Sequence, residues 1–167
     1  MLTDIIDKNL KVIFCGINPG LKSAWDGHHF SGRSNRFWKA IHLAGFTPYE
    51  IDPMEDFTFL NFGYGLTTAV ARATTRADEL SKEEFTASIE SFKNKIIQYQ
   101  PQYIAFLGKA AYKVFSGKKE IRWGHQEEKF CGASVWILPN PSGLNRGFML
   151  NDLVQYYSEL YRAISQP

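Results

Sequence analysis

Two apolar runs constrain this chain more than anything else in it. Val12-Ile13-Phe14-Cys15 and Val135-Trp136-Ile137-Leu138 carry no polar residue at alternate positions, and each runs into a polar loop rich in Pro and Gly. A strand with one face in water alternates apolar and polar residues. A short unbroken apolar run bounded by turn signals reads instead as a strand buried on both faces. The first loop is Gly16-Ile17-Asn18-Pro19-Gly20. The second, after Pro139, is Asn140-Pro141-Ser142-Gly143-Leu144-Asn145-Arg146. In an open α/β sheet, loops at the carboxyl ends of strands line the ligand crevice. The two segments, far apart in sequence, are therefore expected at one site.

The rest of the chain supplies the helices that such a sheet requires. The pattern predicts a strand over Lys11–Ile17, then a polar loop through Arg33. A helix follows over Ser34–Ala44, and Gly45 stops it. Phe57–Tyr64 is rich in aromatics and fits strand or loop. Ser81-Lys82-Glu83-Glu84 is a capping box opening a helix to Tyr99, which Pro101 ends. Tyr103–Leu107 reads as a buried strand, Gly108 as a turn into a helix to Phe115, and Val135–Leu138 as a further strand. A last helix over Leu150–Ile164 carries Leu153, Tyr157, Leu160, Tyr161 and Ile164 on one face. No repeat, linker or low-complexity tract divides the chain, so residues 1–167 are expected as one domain. The alternation of strand and helix argues an α/β class with a mostly parallel sheet covered on both faces. There is no Gly-x-Gly-x-x-Gly after a strand and no Gly-x-x-x-x-Gly-Lys-Ser/Thr loop, which weighs against dinucleotide binding and P-loop chemistry.

With 167 residues, 44% of them hydrophobic and 15% aromatic, the chain can bury a sizeable core. Cys15 and Cys131 form no Cys-x-x-Cys pair, and His28, His29, His42 and His125 show no zinc-ligand spacing, so no metal is expected. No apolar run reaches the roughly 20 residues a membrane span needs. The N-terminus lacks the basic-then-apolar order of a signal peptide, so a cytosolic location is the default expectation. The net charge of +2 falls short of the footprint of a strong DNA-binding domain. The basic residues do cluster, however, at Lys109, Lys113, Lys118, Lys119 and Arg122, and at Arg33, Arg36 and Lys39. Each cluster reads equally as a solvated face.

Four segments resemble the mismatch-specific uracil/thymine-DNA glycosylases of the uracil-DNA glycosylase superfamily. They are Gly16-Ile17-Asn18-Pro19-Gly20, Gly27-His28-His29-Phe30, Asn35-Arg36-Phe37-Trp38 and Asn140 to Arg146. The likeness extends over nearly the whole chain, including Gly65-Leu66-Thr67-Thr68, Leu80 to Phe85 and Tyr99-Gln100-Pro101. It implies a three-layer α/β/α sandwich around a short, mostly parallel central sheet. It also implies a monomer without cofactor, acting on double-stranded DNA that carries a mismatched or damaged pyrimidine.

The chemistry at the first motif follows from residue type. Cleaving an N-glycosidic bond passes through an oxocarbenium-like state with a negative leaving base. An enzyme helps by positioning a water and by aiming fixed donors at the departing base. An Asn can hold a water but cannot take its proton at neutral pH, so Asn18 is a positioner and not a general base. By resemblance, Phe30 stacks on the extruded base, and the backbone N–H groups of Ile17, Gly20 and Phe30 are candidate donors to it. Ser23 borders the C5 edge, where a small residue leaves room for a substituent. Thr68 stands where relatives carry Asn or Lys. His29 either touches the water or leaving base, or lies in solvent. Asp26, the nearest carboxylate in sequence, reads as a loop residue.

The second motif resembles an intercalating loop. By that resemblance, Leu144 is the wedge expected to fill the hole left by the extruded nucleotide. Gly143 and Asn145 offer backbone groups to the orphaned base, favouring guanine. Arg146 plugs the gap or meets a phosphate, and Ser142 is a candidate phosphate donor. Asn140 opens the same loop. The resulting expectation is a monofunctional glycosylase removing uracil, with thymine or etheno-cytosine as further substrates, because no Lys is placed as a Schiff-base nucleophile. Two other readings stay open: a module that binds distorted duplexes without cutting, and a hydrolase of free nucleotides.

Overall fold

A computed structural model describes residues 1–166. Five strands form one sheet: β1 (Val12–Gly16), β2 (Tyr64–Thr68), β3 (Tyr103–Leu107), β4 (Gly124–His125) and β5 (Ser134–Leu138). Their order across the sheet is β2-β1-β3-β5-β4, with every pairing parallel except β4 against β5. Five α-helices accompany them: α1 (Leu21–Asp26), α2 (Phe37–Ala44), α3 (Lys82–Tyr99), α4 (Ala110–Ser116) and α5 (Leu150–Ser165).

The unbroken apolar strands are explained by two cores, one on each face. Successive side chains along a strand point to opposite faces. Val12, Phe14, Ala105, Leu107, Trp136 and Leu138 pack with α2 and α5 on one face. Cys15, Ile104, Phe106, Val135 and Ile137 pack with α3 and α4 on the other. The result is a three-layer α/β/α sandwich. The first core is dense in aromatics. Phe14 meets Phe37, Phe46 and Tyr64 edge-on at 5.6, 5.3 and 6.3 Å. Edge-to-face rings match positive edges to negative faces, which adds to the value of the buried area itself.

The crossovers fix where a crevice must open. The chain leaves β1 towards the α2 face and leaves β3 towards the α4 face, and β1 and β3 are neighbours. Their outgoing loops therefore diverge, and a gap is left at their carboxyl ends. The loop after β5, next in the sheet, borders the same gap.

Several elements depart from the sequence pattern. The polar stretch before Arg33 contains the short helix α1. It buries Ser23 and exposes Leu21 and Trp25, so it shows no inward apolar stripe. α2 opens at Phe37 rather than Ser34, because the Arg36 amide is committed to the carbonyl of Pro141 and the Asn35 side chain accepts from the Phe37 amide. Residues 53–62 form 3₁₀ turns, and the strand lies later, at Tyr64–Thr68. That strand was hidden by Gly65, a poor β-former. A Cβ at Gly65 would sit 2.7 Å from the Ile5 carbonyl oxygen, because the N-terminal segment bridges antiparallel onto Leu66. β4 is too short to leave a pattern.

Candidate active site

The gap at the carboxyl ends of β1 and β3 is a cleft of about 680 Å³. Its lining includes Ile17, Asn18, Gly20, Ser23, His29, Phe30 and Thr68 from one side, and Asn140, Ser142, Gly143, Leu144 and Asn145 from the other. The two motifs thus meet across one cavity. Arg146 is not in the lining; it is exposed at the rim, next to Leu144 in the chain.

Asn18 sits where β1 releases the chain, and its amide is fixed by a segment 54 to 56 residues away. Nδ2 donates to the Arg72 carbonyl at 2.8 Å and to Thr74 Oγ1 at 2.8 Å. The Thr74 hydroxyl proton is itself given to the Arg76 carbonyl at 2.7 Å. Both Asn18 hydrogens are therefore spent on protein acceptors. Oδ1 has no hydrogen-bond partner among the described residues and remains an acceptor for a water. The strap that carries Arg72 is held in turn by a two-point ion pair of Arg72 with Glu84, at 2.6 and 3.1 Å. The Arg72 guanidinium keeps the Glu84 carboxyl down at about 2. Among the described residues the only carboxylate lining the cleft is Asp78, which pairs with Arg76 and is 74% exposed. Among the described residues no carboxylate in the cleft is placed as a buried general base.

Phe30 adopts a left-handed backbone, φ 54°, which is rare and strained for a bulky residue. Bonds on both sides hold it there. The His29 amide donates to Asp56 at 2.7 Å, the His29 carbonyl accepts from the Trp38 indole at 3.0 Å, and the Ser31 amide donates to Ser23 at 3.2 Å. The conformation lays one face of the Phe30 ring on Phe37, with centroids 4.1 Å apart and planes 21° apart. The Phe30 ring and the Thr68 methyl each lie 3.8 Å from where a Cβ on Gly16 would be. The floor of the cleft is thus an aromatic face backed by a second ring, with Thr68 at its edge.

His29 does not lie in solvent: it is 2% exposed, within the cleft lining. Burial lowers its pKa, against the smaller opposing pull of the Thr3 carbonyl and of Asp56. Its Nε2 lies 2.8 Å from the Thr3 carbonyl, an acceptor, so the neutral ring donates there and Nδ1 keeps a lone pair. Ser23 is buried, and its hydroxyl interacts with that of Ser31 at 3.3 Å. Asp26 accepts from Ser31, from the His28 amide and from Lys22. Burial raises its pKa, but those donors outweigh it and hold the carboxyl below its usual value. Asp26 lies outside the cleft lining and serves this loop.

The second loop is internally bonded. Asn140 Oδ1 accepts from the Ser142 amide, the Asn145 side chain donates to the Asn140 carbonyl, and the Leu144 amide donates to the Ser142 hydroxyl. The Leu144 side chain is left 57% exposed at the tip. Two expectations are narrowed by this bonding. The Asn145 amide donates to Ser142 and its carbonyl accepts from Arg36, so of the pair Gly143 and Asn145 only Gly143 keeps free backbone groups among the described residues. Ser142 already caps the loop through its hydroxyl oxygen and has only its proton to offer a phosphate. The amides of Gly20 and Phe30 face no protein acceptor among the described residues, and the Ile17 carbonyl accepts from the Val70 amide.

The sequence reading did not single out Asp56 or Ser31, and it named Arg36 only within a basic cluster and a motif. Asp56 and Arg36 act through contacts between distant segments, which leave no local signal.

The fold is similar to the solution NMR structure of a candidate uracil DNA glycosylase from Methanosarcina acetivorans. The TM-score is 0.67 at 18% identity, over 99% of this chain and 97% of that one. At that identity the likeness speaks to the fold. The sequence itself carries the family: residues 3–163 match the model of the uracil DNA glycosylase superfamily. An Asn held at the end of β1, an aromatic floor and an exposed loop tip across the cleft are thus the setting in which this chain belongs to the uracil DNA glycosylase superfamily.

Proposed function

We propose that this protein is a monofunctional DNA glycosylase of the mismatch-specific uracil/thymine type. It flips uracil opposite guanine out of duplex DNA and hydrolyses its N-glycosidic bond, leaving an abasic site. Thymine and etheno-cytosine opposite guanine are secondary substrates. The observation that carries this reading is Asn18, whose amide hydrogens are fixed while Oδ1 stays free. A water accepted there is oriented but not deprotonated. The reaction then depends on departure of the base as an anion, with attack on a sugar already cationic in character. Uracil, which forms a stable anion, suits such a site.

The remaining groups fit the same scheme. The face of Phe30 offers base stacking of roughly 1–3 kcal/mol. The amides of Gly20 and Phe30 supply fixed donors to the leaving base. Leu144 enters the stack in place of the extruded nucleotide, and the free backbone of Gly143 meets the opposite base. Lys22 lines the cleft and pairs with Asp26 at 3.2 Å in an exposed contact, and this reading gives it no part as a nucleophile.

The test is single-turnover cleavage of labelled duplexes carrying G·U, G·T or A·U, with single-stranded uracil alongside, followed by alkali. Asn18→Ala is expected to slow excision from G·U by about 100-fold or more while duplex affinity holds. Tight mismatch binding without excision by the unaltered protein would instead favour a module that recognises distorted DNA.

A further inference from the structure

Arg36 occupies the turn before α2, and its side chain makes no ion pair among the described residues. Its guanidinium lies under the second loop and donates to four backbone carbonyls. Nε reaches Pro141 at 3.3 Å, Nη1 reaches Phe148 at 2.5 Å, and Nη2 reaches Ser142 at 2.8 Å and Asn145 at 3.2 Å. Its own amide adds a bond to Pro141 at 3.0 Å. One planar, rigid fork thus ties together both sides of the loop whose tip is Leu144. Apart from the bonds within the loop itself, two further contacts tie it to the fold. Tyr157 donates to the Pro139 carbonyl at 2.8 Å, and Gly143 packs against Ser34.

This arrangement bears on what an exposed Leu can do. An apolar side chain on a slack loop lowers its free energy by folding back onto its own surface. To enter a base stack, the backbone beneath it must be ordered before DNA arrives, because ordering on binding is subtracted from the interaction gained. We infer that Arg36 is a positioning residue for base extrusion: it holds the 141–148 loop open so that Leu144 projects into the duplex. The inference rests on the glycosylase reading of the cleft. It also requires Arg and not merely a cation, since an ammonium offers three donors about one point and cannot span carbonyls on both arms of the loop.

The experiment pairs a structural and a functional readout on Arg36→Lys. Hydrogen exchange of the amides of Leu144, Asn145, Arg146 and Phe148 is expected to accelerate by about 10-fold or more, with the amides of α3 unchanged as an internal control. Single-turnover excision from a G·U duplex is expected to fall about 10-fold, while excision of a uracil left unstacked opposite a gap, where no wedge is needed, stays within about 3-fold. Arg36→Ala, assayed with and without low millimolar guanidinium, gives a second variant; partial recovery on the duplex substrate is the expected result. An active wild type whose loop exchange is unmoved by either substitution overturns the role of Arg36 alone, and so does an equal loss on both substrates. A wild type inert on every duplex overturns the glycosylase reading and the extrusion role with it.

Discussion

At the scale of single residues, the proposed site rests on the constraint of Asn18. An Asn side chain has two donors and one acceptor group, and here Arg72 and Thr74 take both donors, so the acceptor end is defined. Thr74 is the more informative of the two partners because its hydroxyl both accepts from Asn18 and donates to the Arg76 carbonyl. Replacing it by the isosteric Val removes that hydroxyl and leaves the shape. A neutral hydrogen bond is worth about 1 kcal/mol, so Thr74→Val is expected to lower the single-turnover rate by about 5-fold. Duplex affinity should be unchanged, and Thr74→Ser should restore the rate. A loss confined to affinity would remove Thr74 from the positioning of Asn18.

At the scale of elements, the cleft is built from loops that are stiffer than their Pro/Gly content suggests. A Cβ placed on Gly143 would lie 2.6 Å from Ser34 Cβ and 2.8 Å from the Ser34 carbonyl oxygen. Part of that obstacle is backbone, so an added methyl cannot be accommodated by rotating a side chain. Gly143→Ala therefore has to lift the loop off the turn before α2 and loosen the Arg36 contacts. The expected outcome is slower excision from duplex, by about 10-fold, with stability lowered by about 1–3 kcal/mol. Parallel kinetics and denaturant titration check it, and unchanged excision in a folded variant would show that the loop does not need this close approach. Much of this element scale was legible beforehand. The apolar runs announced the strands, the Ser81 box announced α3, and the two motifs announced the rims. β2 and α1 were not legible, because each buries a face chosen by its neighbours: Gly65 under Ile5, and Ser23 against Ser31.

At the scale of the whole molecule, the cleft is tied to the rest of the fold through His29. Its ring is buried and donates to Thr3, so the N-terminal segment, the loop after α1 and the cleft form one bonded unit. Burial depresses the folded-state pKa of His29 below that of the unfolded chain. Between the two values the unfolded state binds more protons. Stability therefore falls as pH drops through the ordinary imidazole value of about 6.5, and the fall levels off below the depressed folded value. His29→Gln keeps a donor for Thr3 and removes the titration. Denaturant unfolding measured from neutral to mildly acidic pH should show the decline in wild type and a shallower one in His29→Gln. Identical slopes would mean that His29 does not couple pH to folding.

By itself, the sequence determined the layered α/β class, because a strand buried on both faces cannot afford polar alternates and a helix must signal its start and stop locally. It also pointed to the two loops that line the cleft, because residue types such as Asn before Pro, or a Leu between Gly and Asn, have few uses at strand ends. Tertiary structure alone decided how those residues are aimed. The fixed amide of Asn18, the left-handed turn that lays Phe30 over Phe37, the interior placement of His29 and the Arg36 fork beneath Leu144 all depend on partners between 7 and 112 residues away. Such contacts are made between backbone carbonyls and side chains that any sequence could supply. Their geometry exists only once the sheet has brought the carboxyl ends of β1, β3 and β5 side by side.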